Sequence, residues 1–255
     1  MSRIIVIALN TFKENLRDKI LYNLVFFGLL LIGSSILLST LTMGEQAKII
    51  QDIGLASINL FGVIIAIFVG IGLVSKEIEK RTIYTILAKP VQRYQFLLGR
   101  YCGLALILLV NTAIMVVGFF FILLVGKISL GSGLIKAISL IYIELLVIVA
   151  VAVMFSSFTT PTLSASFTLA ICVIGHLTAD LRVLGAKLQN ELTKGILDGL
   201  YYMLPNLEYF NVKGPAVHGI AIAPLYVVSA IAYGVLYSAV ILLISCVIFQ
   251  RRDFK

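Results

Sequence analysis

Six stretches of this chain are almost entirely apolar, and all but two of its charged residues fall outside them. The stretches are 21–41, 53–74, 104–125, 134–155, 163–177 and 225–249. A helix needs about 20 apolar residues to cross the hydrocarbon core of a bilayer, and the fifth stretch approaches that length if it starts near Thr160. With 60% hydrophobic and 13% charged residues, the chain predicts an all-α membrane protein with six transmembrane helices.

The connections between these predicted spans are mostly short. Residues 44–52 and 127–133 read as polar loops, and Pro161 breaks the chain between the fourth and fifth spans. Pro224 separates the sixth span from interfacial residues before it. The exception is 178–224, which we interpret as an elaboration on the outer side that begins with a surface helix. Residues 1–255 therefore form a single transmembrane domain.

The distribution of basic residues predicts the orientation of the chain. Its net charge is +8, and if the N-terminus is cytoplasmic, thirteen of the 20 Lys and Arg residues face the cytoplasm. This asymmetry follows the positive-inside rule, so both termini are expected inside, in a multi-pass protein of the plasma (inner) membrane. The charge is explained by topology and by contact with membrane lipid, and nucleic acid is not expected as a partner.

Residues 1–20 have the pattern of a basic amphipathic helix. Apolar residues recur at spacings of three and four opposite Arg3, Lys13 and Arg17; they are Ile4, Ile5, Ala8, Phe12, Leu16 and Ile20. Such a helix lies in the membrane interface and would act as an elbow leading into the first span. The alternative is a simple cytoplasmic extension of that span.

Residues 75–100 concentrate charge between the second and third spans. Ile83, Ile86 and Leu87 give one apolar edge to a short helix that Pro90 ends, and a new helix resumes at Gln92. Two interpretations stay open from the residues alone. The loop is either a docking element for a partner or an ordinary solvated loop.

The pattern of this loop resembles that of the membrane subunits of type-2 ABC exporters. Their loop has Glu-x-Glu-x-Gly-Thr, a Leu-rich helix, a proline, a basic residue and Gly-Lys at the start of the third span. The matching residues here are Glu77, Glu79, Thr82, Ile86, Leu87, Pro90, Arg93, Gly99 and Arg100. Arg81 stands where glycine is commoner, and Arg100 stands for lysine.

The resemblance implies a permease that transports outward and is not itself an enzyme. It makes the loop a coupling helix seated in a separate ABC ATPase subunit, with two permease copies, identical or closely similar, pairing with two ATPases. The implied coupling residues are Glu77, Glu79, Arg81, Thr82, Ile86, Leu87, Pro90 and Arg93. No cofactor is expected on this chain, and ATP would bind the partner, because the Gly126-Lys127 pair lacks the preceding glycine of a phosphate loop and has Phe121 there.

Glu144 is the one carboxylate well inside a predicted span. Such a group is costly in lipid unless it is protonated, paired or in contact with water. It is a candidate for the translocation path or the seam between permease copies, together with Asn59 and Asn111. A structural role, in which Glu144 bonds one of these asparagines on a neighbouring helix, is the alternative. His176 and Asp180 lie four residues apart, but two ligands do not make a metal site, so no metal is predicted and an interfacial histidine is favoured.

Two rival functions remain open. A stand-alone channel or secondary carrier would need ion or proton sites at mid-membrane, and Glu144 is the only such group that the sequence offers. A non-transporting anchor that holds an ATPase at the membrane is the other alternative. Purification together with the co-expressed products of neighbouring genes distinguishes a carrier from an exporter subunit, because a carrier would be isolated alone and active.

Overall fold

The computed structural model describes residues 3–40, 44–79, 92–178 and 203–251, with the single positions 195, 199 and 201. For 73–79 and 251 it describes the backbone alone. Every regular element in these ranges is helical. The helices are α1 (Arg3–Leu16), α2 (Lys19–Ser39), α3 (Gln46–Glu79), α4 (Arg93–Val125), α5 (Ser132–Ser156), α6 (Pro161–His176), the 3-10 turn Leu207–Phe210, α7 (Lys213–Val217) and α8 (Pro224–Arg251).

Five of these helices are long and apolar enough to cross a membrane: α2, α3, α4, α5 and α8. This confirms a helical, multi-pass membrane protein. The remaining apolar helix, α6, has 16 residues, which corresponds to about 24 Å of helix against a hydrocarbon core of roughly 30 Å.

α3 and α5 form the centre of the fold. α5 is buried on all sides over Val147, Ile148, Val149, Ala150, Val151, Ala152 and Val153. The two helices run parallel, because Gly70 of α3 faces Ala152 of α5 and Ile71 accepts a hydrogen bond from Ser156. A Cβ on Gly70 would lie 2.5 Å from the Cβ of Ala152, so glycine is required for the backbones to approach this closely.

α1 packs along the first turns of α4. A Cβ on Gly103 would lie 2.6 Å from the carbonyl oxygen of Ala8, and a Cβ on Gly99 would meet Ile7. The buried residues of α1 are Ala8 and Thr11, whereas Ile5 is exposed. The helix predicted over 1–20 is therefore present as α1, but small residues determine the face that it buries.

The end of α8 lies beside the start of α4. The guanidinium of Arg93 donates hydrogen bonds of 2.9 and 3.0 Å to the carbonyls of Phe249 and Gln250, in the last turn of α8. The ring of Phe249 stacks on Phe96 at a centroid distance of 6.2 Å. A cationic side chain at the C-terminus of a helix bonds its unpaired carbonyls and favours the negative end of its dipole.

The segment after α6 packs back onto the helices. Leu207 and the carbonyl of Pro205 contact Gly175 near the end of α6, and Phe210 contacts Gly234 of α8. Further along, Ala216 contacts Gly133 at the start of α5. Residues 204–217 thus cover the part of α5 that the short α6 does not reach.

Two boundaries differ from the sequence expectation. The prediction of a polar loop over 44–52 is wrong from Gln46 onward, because α3 begins there and includes Lys48 and Asp52. These are residues that helices tolerate, and Lys48 pairs with Glu45 at 2.5 Å. The start of α4 agrees with the expectation, since Gln92 is its N-cap. The predicted surface helix after 178 lies outside the described residues.

Candidate intramembrane polar site

Glu144 lies in the middle of α5 with 1% of its side chain exposed. Its Oε2 accepts a hydrogen bond of 2.8 Å from Nδ2 of Asn59 on α3. Of the two asparagines considered from the sequence, Asn59 is the one that reaches the carboxylate. A buried carboxylate in lipid requires such partners, and this hydrogen bond also joins the two central helices.

His176, the last residue of α6, lies on the other side of the carboxylate. Its Nε2 is 3.1 Å from Oε1 of Glu144, while its Nδ1 lies 2.8 Å from the carbonyl oxygen of Cys172. The contact with Oε1 is short, but it does not have the angles of an aligned hydrogen bond. We therefore regard it as a close polar contact, which is an ion pair only when His176 is protonated. Asn59, Glu144 and His176 are named the polar triad below.

Asn111 does not join the polar triad. Its Nδ2 and the adjacent Thr112 Oγ1 are buried in α4 without a hydrogen-bond partner in the described part of the chain. Asn59 and Asn111 are nevertheless equally buried, at 8% and 7% exposed. The same residue type at similar burial thus has two different electrostatic situations.

A second charged contact lies near the start of α4. Nη1 of Arg100 is 3.1 Å from Oε2 of Glu14 on α1, and the guanidinium lies 5.3 Å from the ring centroid of Phe96. Arg100 is 7% exposed. Together with Arg93, this arginine ties α1 and α8 to the first turns of α4.

The structure describes only part of the predicted coupling site. Arg81, Thr82, Ile86, Leu87 and Pro90 lie outside the described residues. Glu77 and Glu79 form the last turn of α3, where the backbone is described. Arg93 is described in full, and its guanidinium bonds the end of α8. The coupling role of all these residues stays a prediction.

The contact between His176 and Glu144 was not predicted from the sequence. His176 was expected at the membrane interface and Glu144 well inside a span, which would keep the two side chains apart. The available signal was the shortness of the fifth apolar stretch, because a helix that starts at Pro161 and ends at His176 stops before crossing the core. Within the described ranges no cluster of three potential metal ligands occurs.

Comparison with protein families agrees with this architecture. The model of the family described as ABC-2 family transporter protein matches residues 5–254. Because the match covers nearly the whole sequence, the chain belongs to the ABC-2 transporter family. It is an integral, multi-pass membrane component of an ABC transporter and not itself catalytic. No curated protein matches the chain.

Proposed function

We propose that this chain is the permease subunit of an ATP-driven exporter, working as a pair of permease copies on two ABC ATPase subunits. The observation that carries the proposal is the family match over residues 5–254, joined to the loop pattern from Glu77 to Arg100. We further propose that it lies in the plasma (inner) membrane with both termini cytoplasmic. Substrate movement would be outward, driven by ATP hydrolysis on the partner.

Six crossings are supported by contacts at one end of the helix bundle. Ser156, at the end of α5, bonds the carbonyl of Ile71 near the end of α3. Arg93, at the start of α4, bonds the end of α8. Since α4 leaves the end of the bundle where α3, α5 and α8 finish, the chain between Ser156 and Pro224 must return across the membrane. We assign that crossing to α6 together with the segment that follows it.

The coupling role is proposed for residues 75–100, with α1 as the interfacial elbow. Closure of the two ATPases on ATP would push on the loop and, through Arg93 and Arg100, on the ends of α8 and α1. Movement of the second and fifth spans, α3 and α6, at the seam between permease copies would then expose the path alternately to the two sides. Asn59, Asn111 and Glu144 remain our candidates for that path or seam.

The test is to uncouple the loop without disturbing insertion. The permease is co-expressed with an ABC ATPase from the same genome and reconstituted in liposomes. The double charge reversal Glu77→Lys with Glu79→Lys should abolish the stimulation of ATP hydrolysis by the permease, and so should Pro90→Ala. The charge reversal should also cause the ATPase to be lost from the purified complex. The physical reason is that opposite charge is placed where the ATPase cleft is expected.

A matched control uses the opposite end of the same helix. Glu45 precedes α3, is exposed and pairs with Lys48, so Glu45→Lys reverses a comparable charge away from the proposed ATPase side. It should leave ATPase stimulation unchanged. Equal stimulation in the loop variants and the control would contradict the coupling role. An active permease purified without any ATPase would favour the carrier alternative.

A further inference from the structure

We propose that Glu144 and His176 form an intramembrane proton-binding site, with the bound proton on Nε2 of His176, 3.1 Å from Oε1 of Glu144. Neither the family nor the coupling proposal assigns such a site. The inference depends on hydrogen-bond chemistry within one chain. It therefore holds or fails independently of which partner subunits the permease takes.

The contacts of the two ring nitrogens of His176 indicate how many protons the imidazole holds. A carbonyl oxygen only accepts hydrogen bonds, so the 2.8 Å contact between Nδ1 of His176 and the Cys172 carbonyl requires a proton on Nδ1. A neutral imidazole has one ring proton, which would leave a lone pair on Nε2. This electron-rich nitrogen would then lie 3.1 Å from a carboxylate oxygen. An unprotonated nitrogen and a carboxylate oxygen repel each other at this distance, which favours a second proton on one of these two atoms.

The surroundings place that proton on the imidazole. His176 ends α6, where the unpaired carbonyls favour a positive charge. The carboxylate of Glu144 accepts a hydrogen bond from Asn59 at 2.8 Å, which favours its negative form. With imidazolium and carboxylate together the buried site is neutral overall, whereas loss or gain of one proton would leave a single charge buried in the bundle.

Among the residues that the structure describes, most other ionisable groups on the packed helices have their own partners or lie far away. On α3, Asp52 is seven residues before Asn59, about 10 Å along the helix. On α4 and α5, Tyr101 donates to the carbonyl of Leu146 and Tyr142 to that of Ala105. The ionisable groups on α8 and in residues 204–217 also have hydrogen-bond partners. Tyr233 accepts from the backbone amide of Asn206, Tyr237 donates to the carbonyl of Met203, Tyr226 donates to the carbonyl of Tyr209, and Glu208 accepts from the side-chain amide of Asn211. Cys172 lies one turn before His176 on α6, and Cys246 lies on α8 with no hydrogen bond in the described ranges.

The two halves of the pair differ in exposure. Glu144 is 1% exposed, but 30% of the His176 side chain is exposed. The imidazole is therefore the accessible half of the pair, and Glu144 is the enclosed half. A helix whose C-terminal end lies inside the bundle beside a carboxylate is similar to the broken helices whose ends coordinate cations in transporters. Here the cation is supplied by the chain itself, as a protonated side chain.

The experiment reads the protonation of His176 directly. The chain has two histidines, His176 and His218, so the full-length His218→Gln protein labelled with ¹⁵N-histidine gives one imidazole spectrum in lipid nanodiscs. At about pH 7.5 an ordinary imidazole is mostly neutral, because its pKa is about 6.5. We expect imidazolium-type shifts for both ring nitrogens of His176. An unprotonated Nε2 at this pH would overturn the proposal, and so would an unprotonated Nδ1.

A second variant separates the proposed cause from other causes of protonation. In the Glu144→Gln, His218→Gln protein the negative partner is removed while the size of the side chain is kept. His176 should then lose its second ring proton at the same pH. Retention of the imidazolium in this variant would show that Glu144 does not hold the proton and would also refute the site. If this variant does not fold, the single-variant spectrum alone still decides.

Discussion

Replacing each of the two buried asparagines by leucine should have different effects on stability: Asn59→Leu should lower it, and Asn111→Leu should not. Asn59→Leu removes the hydrogen bond to the carboxylate of Glu144. Hydrogen bonds to charged groups contribute about 1.5–3 kcal/mol in soluble proteins, whereas bonds between membrane helices average about 0.6 and reach about 1.7 kcal/mol. Because this acceptor is 1% exposed, we expect a loss of about 1–2 kcal/mol, or a Tm lower by roughly 2–8 °C.

Asn111→Leu is the matched comparison. It removes an amide whose Nδ2 is buried without a partner in the described part of the chain, and such a group costs about 1–3 kcal/mol. The Tm of this variant should be unchanged or higher. The two positions are equally buried, so loss of packing alone would affect both in the same direction.

The composition of the chain suggests the assay. It has no tryptophan and three cysteines, of which Cys172 is buried one turn before His176. In a background with Cys102→Ser and Cys246→Ser, a thiol-reactive fluorescent dye reports the unfolding that exposes Cys172. Equal loss of Tm in both leucine variants would refute the distinction between a paired and an unpaired amide.

Two further predictions concern the backbone. Lys127 has φ 53° after α4, where Ile128 donates back to the carbonyl of Leu123. The left-handed conformation costs L-residues about 1–2 kcal/mol, and the freer unfolded state of glycine offsets about 0.5–1 kcal/mol of the gain from relieving it. Lys127→Gly should therefore raise the free energy of unfolding by about 0.5–1 kcal/mol, and an unchanged or lower Tm would contradict this. Gly103→Leu should separate α1 from α4 and lower the Tm. Gly33 lies on α2 with open space around its Cβ position, so Gly33→Leu should leave the Tm unchanged. Similar losses of Tm in the two variants would show that the close approach at Gly103 is unimportant.

The sequence was sufficient for the elements but not for the contacts between them. Apolar length predicted the long helices, because lipid requires every backbone polar group to be satisfied within a helix. The cost of a carboxylate in lipid likewise identified Glu144 as a residue that needs partners. The role of Gly99 and Gly103 was not predicted, since glycines four apart are common and nothing in one sequence says which helix packs against them.

The other differences from the sequence expectation have separate physical causes. The polar residues 46–52 were assigned to a loop because they do not belong in lipid, yet a helix can continue into water without a break at the membrane surface. His176 was assigned to an interface because α6 was assumed to cross the whole core. The bond from Arg93 to the last turn of α8 was not predicted either, because no local pattern contains a contact across 156 positions; the coupling role of Arg93 stays a prediction.

The length of α3 gives it the geometry of a lever with unequal arms. The bond from Asn59 to Glu144 lies about 30 Å from the Glu79 end of this helix and about 20 Å from the Gln46 end, at 1.5 Å per residue. If α3 tilts as a rigid rod about that bond, a shift of its longer arm appears at the far end reduced by about one third and reversed in direction. The pivot of such a motion would be the hydrogen bond from Asn59 to Glu144, so the charge of this one carboxylate would affect how firmly α3 is held there.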